Sequence, residues 1–448
     1  MKGDRTPILQ MDLAYSQTDF PAKPESVPPK PQGKGLSLWL ASVFVVGQMA
    51  GSGVLALPKA LADAGWSGVV LLLFCCVNSL YAGICLGRCW SILEERYEEY
   101  KAKNRYPYPA IAFRAGGKWM KYVTSVCIDI NLFGVAIVFL LLSSQLISTV
   151  AASWGINFCY WLLIIGAVLC PLMWLGTPED FWPAAVIALG STIVACVLLI
   201  VLIAKDAAVA ANAHYPPPTV KNFFLAFGTI LFSFGGAASF PTFQNDMKNR
   251  NDFPKAAIAG FIFLLILYVP VAVLGYSVYG DKVESDVIDS LPHSTIKTII
   301  SVLLAFHMIF AFLLVINATS QEFEEFLNVP NGFGWKRCAV RTAMLVVIVF
   351  IAQSIPKFGK VLNLVGGSAI TLTASVFPCF FYYALCSQHN PSWPERYIPV
   401  HEKVYLVVIM VCGVVGGCIS TYSAINDIAG ADTFNPPCYV NITAANFL

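Results

Sequence analysis

The chain has 448 residues, of which 57% are hydrophobic and 12% charged, with a formal net charge of +2. A soluble chain of this length carries about twice that share of charged residues to coat its domains. These values exclude a nucleic-acid-binding protein, a secreted disulfide scaffold and a cytosolic enzyme, and they assign the chain to a lipid bilayer.

Residues 1–35 are rich in proline and polar residues (PAKPESVPPKPQGKG) and read as a disordered tail without the apolar core of a cleavable signal peptide. Beyond it, apolar runs long enough to cross about 30 Å of hydrocarbon recur through residue 427. Eleven spans are expected, at 37–62, 67–90, 122–150, 158–176, 182–204, 222–246, 256–279, 296–319, 339–355, 361–386 and 404–426. An odd number puts the two termini on opposite sides. With the N-terminus cytosolic, the cytosolic segments hold 21 of the 28 Lys and Arg residues; the rest are Lys59, Lys205, Lys221, Lys282, Lys297, Lys357 and Lys360. That asymmetry orients the chain.

Residues 107–121 (PYPAIAFRAGGKWMK) mix aromatic and basic side chains and read as a short helix on the cytosolic membrane surface. The loop 280–295 is acidic and faces outward. The C-terminal tail, 428–448, has no Lys or Arg and carries Asn441-Ile442-Thr443, an acceptor for N-glycosylation outside the cell or in a lumen. A second such triplet, Asn317-Ala318-Thr319, falls at the cytosolic end of a span and is unusable. Of the 14 cysteines, 13 lie in or beside apolar runs without a CxxC pair, and they read as small core- or lipid-facing residues.

Two spans carry a glycine pair with a proline five residues after the last glycine. The first reads Gly51-Ser52-Gly53-Val54-Leu55-Ala56-Leu57-Pro58 and the sixth Gly235-Gly236-Ala237-Ala238-Ser239-Phe240-Pro241. Proline removes an N–H from the helical ladder, freeing the carbonyls of Val54 and Ala237, while glycine tolerates unwound backbone. Broken backbone at membrane depth is allowed only where it is buried in protein or lines a cavity. Interruptions at the first and sixth spans are where a five-plus-five inverted repeat places equivalent helices, and they point to a midplane binding site. A half-helix beginning near Val54 offers free N–H groups and a positive dipole end to a carboxylate. Freed carbonyls and the Ser52 and Ser233 hydroxyls accept hydrogen bonds from an ammonium group. An α-amino acid has both groups. Gln48, Ala50, Gly51, Ser52 and Gly53 are the expected substrate contacts at the first break. Ser233, Phe234, Gly235, Gly236 and Phe240 are those at the second, with Phe232 and Phe243 walling an apolar side-chain pocket.

The segment GSGVLALPKALADAGW at 51–66, the long charged loop after the second span and the glycine-rich sixth span resemble the amino acid/auxin permease family. The resemblance covers about 36–427. It implies the leucine-transporter-type fold, all-α with eleven membrane helices of which the first and sixth are broken, and amino acid transport by alternating access coupled to protons or sodium. The proton-coupled branch carries a His two turns before the glycines, where Phe44 stands here. The sodium-coupled branch carries an Asn in the preceding turn, where Val45, Val46 and Gly47 stand.

Three ionisable residues fall within the expected spans: Lys59, Asp129 and His307. Lys59 snorkels at the outer mouth. Asp129 and His307 are the candidate proton-coupling groups, because ionisable side chains inside a membrane face a cavity or a partner and are able to trade a proton. Thr319 and Ser320 are second-choice sodium ligands. The expected function is a proton-coupled transporter of small neutral amino acids in the plasma membrane or a lysosomal or vesicular membrane. It has no cofactor, metal site or nucleic-acid partner. The alternatives are a sodium-coupled transporter and an amino-acid-sensing receptor of the same fold.

Overall fold

In a computed structural model of the chain, residues 35–102, 104–174, 182–208, 213–330, 333–430 and 435–442 are described, with the side chains of 182–185 excepted. The expected tail 1–35 therefore lies almost wholly outside the described residues.

The structure is a helical bundle. Its helices are α1 (Leu38–Met49), α2 (Ser52–Ala64), α3 (Ser67–Arg96), α4 (Pro107–Val150), α5 (Phe158–Trp174), α6 (Trp182–Lys205) and α7 (Val220–Ser233). There follow α8 (Phe240–Asp246), α9 (Phe253–Tyr279), α10 (Thr295–Phe326), α11 (Trp335–Ser354), α12 (Phe358–Val365), α13 (Phe377–Cys386) and α14 (Val400–Ala429). Several starts are dictated locally. Ser37, Thr219 and Ser294 each accept a hydrogen bond from the third backbone N–H beyond them, capping α1, α7 and α10. Pro254 opens α9, where a missing N–H costs nothing.

Among the described residues nine helical segments are long and apolar enough to cross a bilayer, and the bent α1–α2 pair makes a tenth. Of the eleven expected spans, 158–176 is the short one: α5 has 17 residues, against about 20 for a full crossing. Large apolar side chains stand bare on the outer surface, among them Val70, Ile266, Val346 and Val411. A soluble protein does not leave such a belt exposed, and a bilayer covers it.

Cross-chain contacts sort the helix ends onto two faces. On one, the N-terminal face, Leu36 pairs with Met247, Arg88 with Glu402, Arg250 with Glu94 and Arg105 with Gln321. On the other, Lys221 pairs with Asp427, Tyr279 with Asp206, and Cys159 with Cys438 in a disulfide. Expected and observed cysteine chemistry differ there. Cys438 reaches Cys159 because the tail folds back over α5 and α11. The Cys438 N–H donates to Gln353 O, and Gln353 Nε2 to Cys159 O, both at 2.8 Å.

Three further expectations change. Gly117 has φ 76° and breaks α4, so residues 107–116 form a separate helical segment. One side of that segment packs into the bundle, burying Pro107, Tyr108, Pro109, Ile111 and Ala112. Its Tyr108 is fully buried and donates to Thr373 O (2.6 Å), a carbonyl within the π-helical stretches that join α12 to α13. α10 continues two turns past the expected end at residue 319, carrying Glu322 and Glu324. Glu324 is buried between Arg337 and Arg341.

The acidic loop 280–294 does not simply face outward. It turns back into the bundle, burying Val283, Val287, Ile288 and Leu291.

Candidate functional site

The first interruption is short. α1 ends at Met49, Ala50 is extended, and α2 begins at Ser52, with a bend of 56° between the two helices. The second half-helix thus begins two residues before the expected Val54, and Pro58 falls inside α2. At the second interruption α7 ends at Ser233. A turn at Phe234–Gly235 and a tight 3₁₀ turn at Gly236–Ser239 follow, and Pro241 sits in the first turn of α8.

The two interruptions lie against each other. A methyl group built on Gly53 would come within 2.7 Å of Ser233 Cα and Oγ, and one built on Gly236 within 2.7 Å of Met49 Cγ. Only glycine permits this approach. Tyr268 of α9 joins them: its buried hydroxyl donates to Met49 O (2.7 Å) and lies 3.2 Å from Ser233 O. Those are the last residues of α1 and α7, so one hydroxyl serves the terminal carbonyls of both. Sequence reading missed Tyr268, a tyrosine in an otherwise ordinary apolar span.

The start of α2 has no side-chain cap, and Ser52 Oγ, in a residue 1% exposed, has no hydrogen-bond partner. A buried helix start and a buried hydroxyl left unpaired form a ready acceptor site for an anion that also takes one hydroxyl bond. The Ser233 hydroxyl donates to Thr229 O (3.0 Å) and keeps its lone pairs. Phe234 is stacked on Phe261, and Phe240 packs on Phe253 and Phe261. Both rings belong to the core under the second break. Phe243 instead meets Phe44 of α1 at 5.7 Å.

His307, 2% exposed on α10, is brought to the first break. Its Nδ1 lies 2.9 Å from Ala188 O and 2.8 Å from Thr192 Oγ1, both on α6. A carbonyl oxygen only accepts, so Nδ1 carries the proton. The other nitrogen, Nε2, is aimed at Gly51, 3.2 Å from where its methyl would be. Asp129 is elsewhere. Its Oδ1 has no hydrogen-bond partner, and its charged neighbour is Glu322. Glu322 lies fifteen residues along α10 from His307, an axial distance of about 22 Å. The two candidate proton groups do not share a site.

Thr319 and Ser320 are buried, and their hydroxyls, like Asn317 Oδ1, have no partner. They stand about 18 Å along α10 from His307, so they do not join Gly51 in one ligand set. Lys59 is paired with Asp63 at 3.4 Å. Asn441 sits beside the disulfide, its N–H donating to Pro437 O (3.0 Å). Thr443 of its acceptor triplet lies outside the described residues.

Among the described residues the protein is a helical membrane bundle in which the bent α1–α2 pair lies against the 3₁₀ turn between α7 and α8. Residues 34–425 match the family described as transmembrane amino acid transporter protein, and the chain belongs to that family. Amino acid transporter AVT1D of Arabidopsis thaliana is 25% identical over 400 residues, covering 86% of this chain and 69% of that protein. Amino acid transporter AVT1J of the same plant is 24% identical, covering 86% and 90%. These relatives are named as transporters, not enzymes.

Among solved structures, MhsT in complex with L-phenylalanine superposes with a TM-score of 0.54 at 11% identity, covering 87% of this chain and 99% of MhsT. Mhp1, a nucleobase-cation-symport-1 family transporter with bromovinylhydantoin bound, gives 0.53 at 14%, covering 95% and 99%. The shared fold is the leucine-transporter type.

Proposed function

We propose that the chain is a secondary active transporter of small neutral amino acids that works by alternating access and is driven by protons. The observation that carries this reading is the uncapped, buried start of α2, with its unpartnered Ser52 hydroxyl, pressed against the end of α7. The start of α2, at Gly51, Ser52 and Gly53, takes the substrate carboxylate. The end of α7, from Ser233 to Gly236, takes the ammonium group among freed carbonyls. Gln48 and Ala50 complete the first break, and Phe234 and Phe240 set the floor beneath the second. Close approach at Gly53 and Gly236 leaves little room, which favours small side chains.

The bent α1–α2 pair, the interrupted α7–α8 segment, the short α5 and the eight other apolar segments together give eleven crossings. The count of Lys and Arg in the sequence, 21 of 28 in the segments assigned to the side of the N-terminus, supports a cytosolic placement of that face. The disulfide supports the same orientation, since such bonds persist outside the cell or in oxidising lumens. His307 and Asp129 are the proton-coupling candidates, and His307 is the one in reach of the substrate site. Sodium coupling is disfavoured by the distance of Thr319 and Ser320 from the first break.

The test is uptake of an amino acid panel by reconstituted vesicles under imposed proton or sodium gradients. Uptake of small neutral amino acids that accelerates with an inward proton gradient is expected. Uptake that follows sodium and ignores pH would overturn the coupling, and no uptake by competent vesicles would overturn the function in favour of a receptor. Asn441 should carry a glycan that a glycosidase removes, or the Asn441→Cys variant should react with an impermeant maleimide on intact cells or right-side-out vesicles; reaction only after permeabilisation would reverse the orientation.

A further inference from the structure

Residues 283–291, between α9 and α10, form a plug on the face that carries the disulfide. Val287 N–H donates to Leu55 O (3.1 Å) in the first turn of α2, a few residues beyond the substrate break. The Val287 side chain lies beside Gly275 of α9, and Ser285 lies against Gly359 of α12. The plug therefore rests on three helices and seals the approach to α2.

Two carboxylates are trapped in this seal. Asp286 is 1% exposed; its Oδ1 accepts from Ile288 N–H (2.9 Å), and its Oδ2 has no partner. Asp289 Oδ2 accepts from Gln145 Nε2 of α4. The charged groups facing the pair are Lys297 of α10, Glu284 in the plug and Lys357 ahead of α12. Lys297 is buried and spends one of its protons on Leu291 O (2.9 Å). Glu284 is exposed, so the enclosed groups are two carboxylates and two ammonium groups; within that set Asp286 is the fully buried carboxylate, and its Oδ2 is left without a hydrogen bond. A carboxylate buried with an oxygen unbonded is disfavoured as the anion and takes up a proton instead.

We propose that Asp286 and Asp289 form a proton-binding site, loaded from solvent on the disulfide face, that must hold a proton for the plug to stay docked on α2. This rests on the transporter reading only in treating 280–294 as a solvent-side loop, and it does not depend on the substrate site. Burial holds the Asp286 carboxyl well above the usual carboxylate range and raises Asp289 to about 6. Both shifts have the same sign. The docked plug binds more protons than the free loop. Docking is therefore complete below the ordinary carboxylate range and weakens as pH rises through about 6, by at most about tenfold per pH unit for each proton linked.

The experiment uses purified full-length protein and a hydrophilic maleimide. Ile288→Cys reports undocking, because Ile288 is fully buried. Ser285→Cys, exposed in the same loop, corrects for the pH dependence of thiol reactivity, and the unsubstituted protein supplies the background of native cysteines. The ratio of Ile288→Cys to Ser285→Cys labelling should rise at least tenfold between pH 5 and pH 8. Adding Asp286→Asn, which keeps the acceptor for Ile288 N–H, should hold the ratio low at every pH; Asp289→Asn serves if that variant does not fold. Lys297→Gln, which removes a cation facing both carboxylates, should move the rise to lower pH. A flat ratio in the otherwise native chain, or an unchanged rise with the charge removed, would overturn the proposal. Labelling needs no transport, so a flat ratio beside proton-driven uptake sinks the plug site alone, and a responsive plug beside absent uptake sinks only the function.

Discussion

The two breaks approach each other most closely at Gly53 against Ser233 and at Gly236 against Met49, and Gly53→Ala tests the first with a single methyl group. That methyl would stand 2.7 Å from Ser233 Cα and Oγ and 2.9 Å from its Cβ. Carbon atoms settle at about 3.5–4.0 Å, so α2 and α7 must part by roughly 1 Å. Forcing a methylene-sized group into a packed interior costs about 1–3 kcal/mol, a fraction of the stability of so large a bundle, and the protein should still insert. Function should suffer more, because a displacement of about 1 Å in groups that must meet a ligand together is worth about 100-fold. Amino acid uptake per inserted molecule should therefore fall on the order of 100-fold, and Gly53→Leu should abolish it. Gly47→Ala is the control: it lies in the last turn of α1, six residues before Gly53, and its methyl would meet nothing within 4 Å. There the change should gain about 0.5–1 kcal/mol of helix stability and leave uptake intact. Uptake would be measured in vesicles and normalised to inserted protein. Wild-type uptake by a correctly inserted Gly53→Ala protein would refute the apposition of the two breaks as the basis of binding.

Tyr268→Phe keeps the ring and removes the hydroxyl from Met49 O and Ser233 O. It should cost about 1–3 kcal/mol for carbonyls left bare, read as a lower melting temperature together with slower uptake, whereas unchanged values for both would remove Tyr268 from the site. Cys159→Ser frees the tail and should lower thermal stability by an amount equivalent to about 2–4 kcal/mol, without altering which amino acids are taken up. Asp129→Asn and His307→Gln separate the coupling candidates. Since only His307 reaches the first break, its variant should lose the proton-gradient acceleration of uptake while exchange persists. The Asp129 variant decides whether the distant carboxylate is needed too. Full proton-driven accumulation by both variants would exclude both residues.

The glycine pairs and their prolines were visible in the sequence because they are demands of the backbone itself, written at consecutive positions. The same holds for the apolar periodicity of the long helices and for the skew of Lys and Arg. Residues that act across the fold leave no such trace. Cys438 looks like any other cysteine until the tail is laid over Cys159, 279 positions earlier. Tyr268 joins carbonyls 219 and 35 residues away. The loop with Asp286 and Asp289 has the composition of a solvated outer loop, and only packing against α2, α9 and α12 turns it inward. His307 and Asp129 look equivalent as intramembrane ionisable residues, and distance along α10 is what distinguishes them.

The disulfide also divides the polypeptide into parts of different covalent standing. It closes residues 159 to 438 into one ring that contains everything from α5 to α14, while α1 to α4, with the first break, hang outside as an open arm. After a single proteolytic nick within the ring the pieces stay covalently joined until a reductant is added, whereas a nick in the arm yields two chains that separate on denaturation without one. The ring also restricts how the bundle rearranges. The entry to α5, the Gln353 end of α11 and the tail beyond α14 are bound as one unit, so any motion that opens this face carries those three elements together and is taken up by the helices of the open arm and the plug.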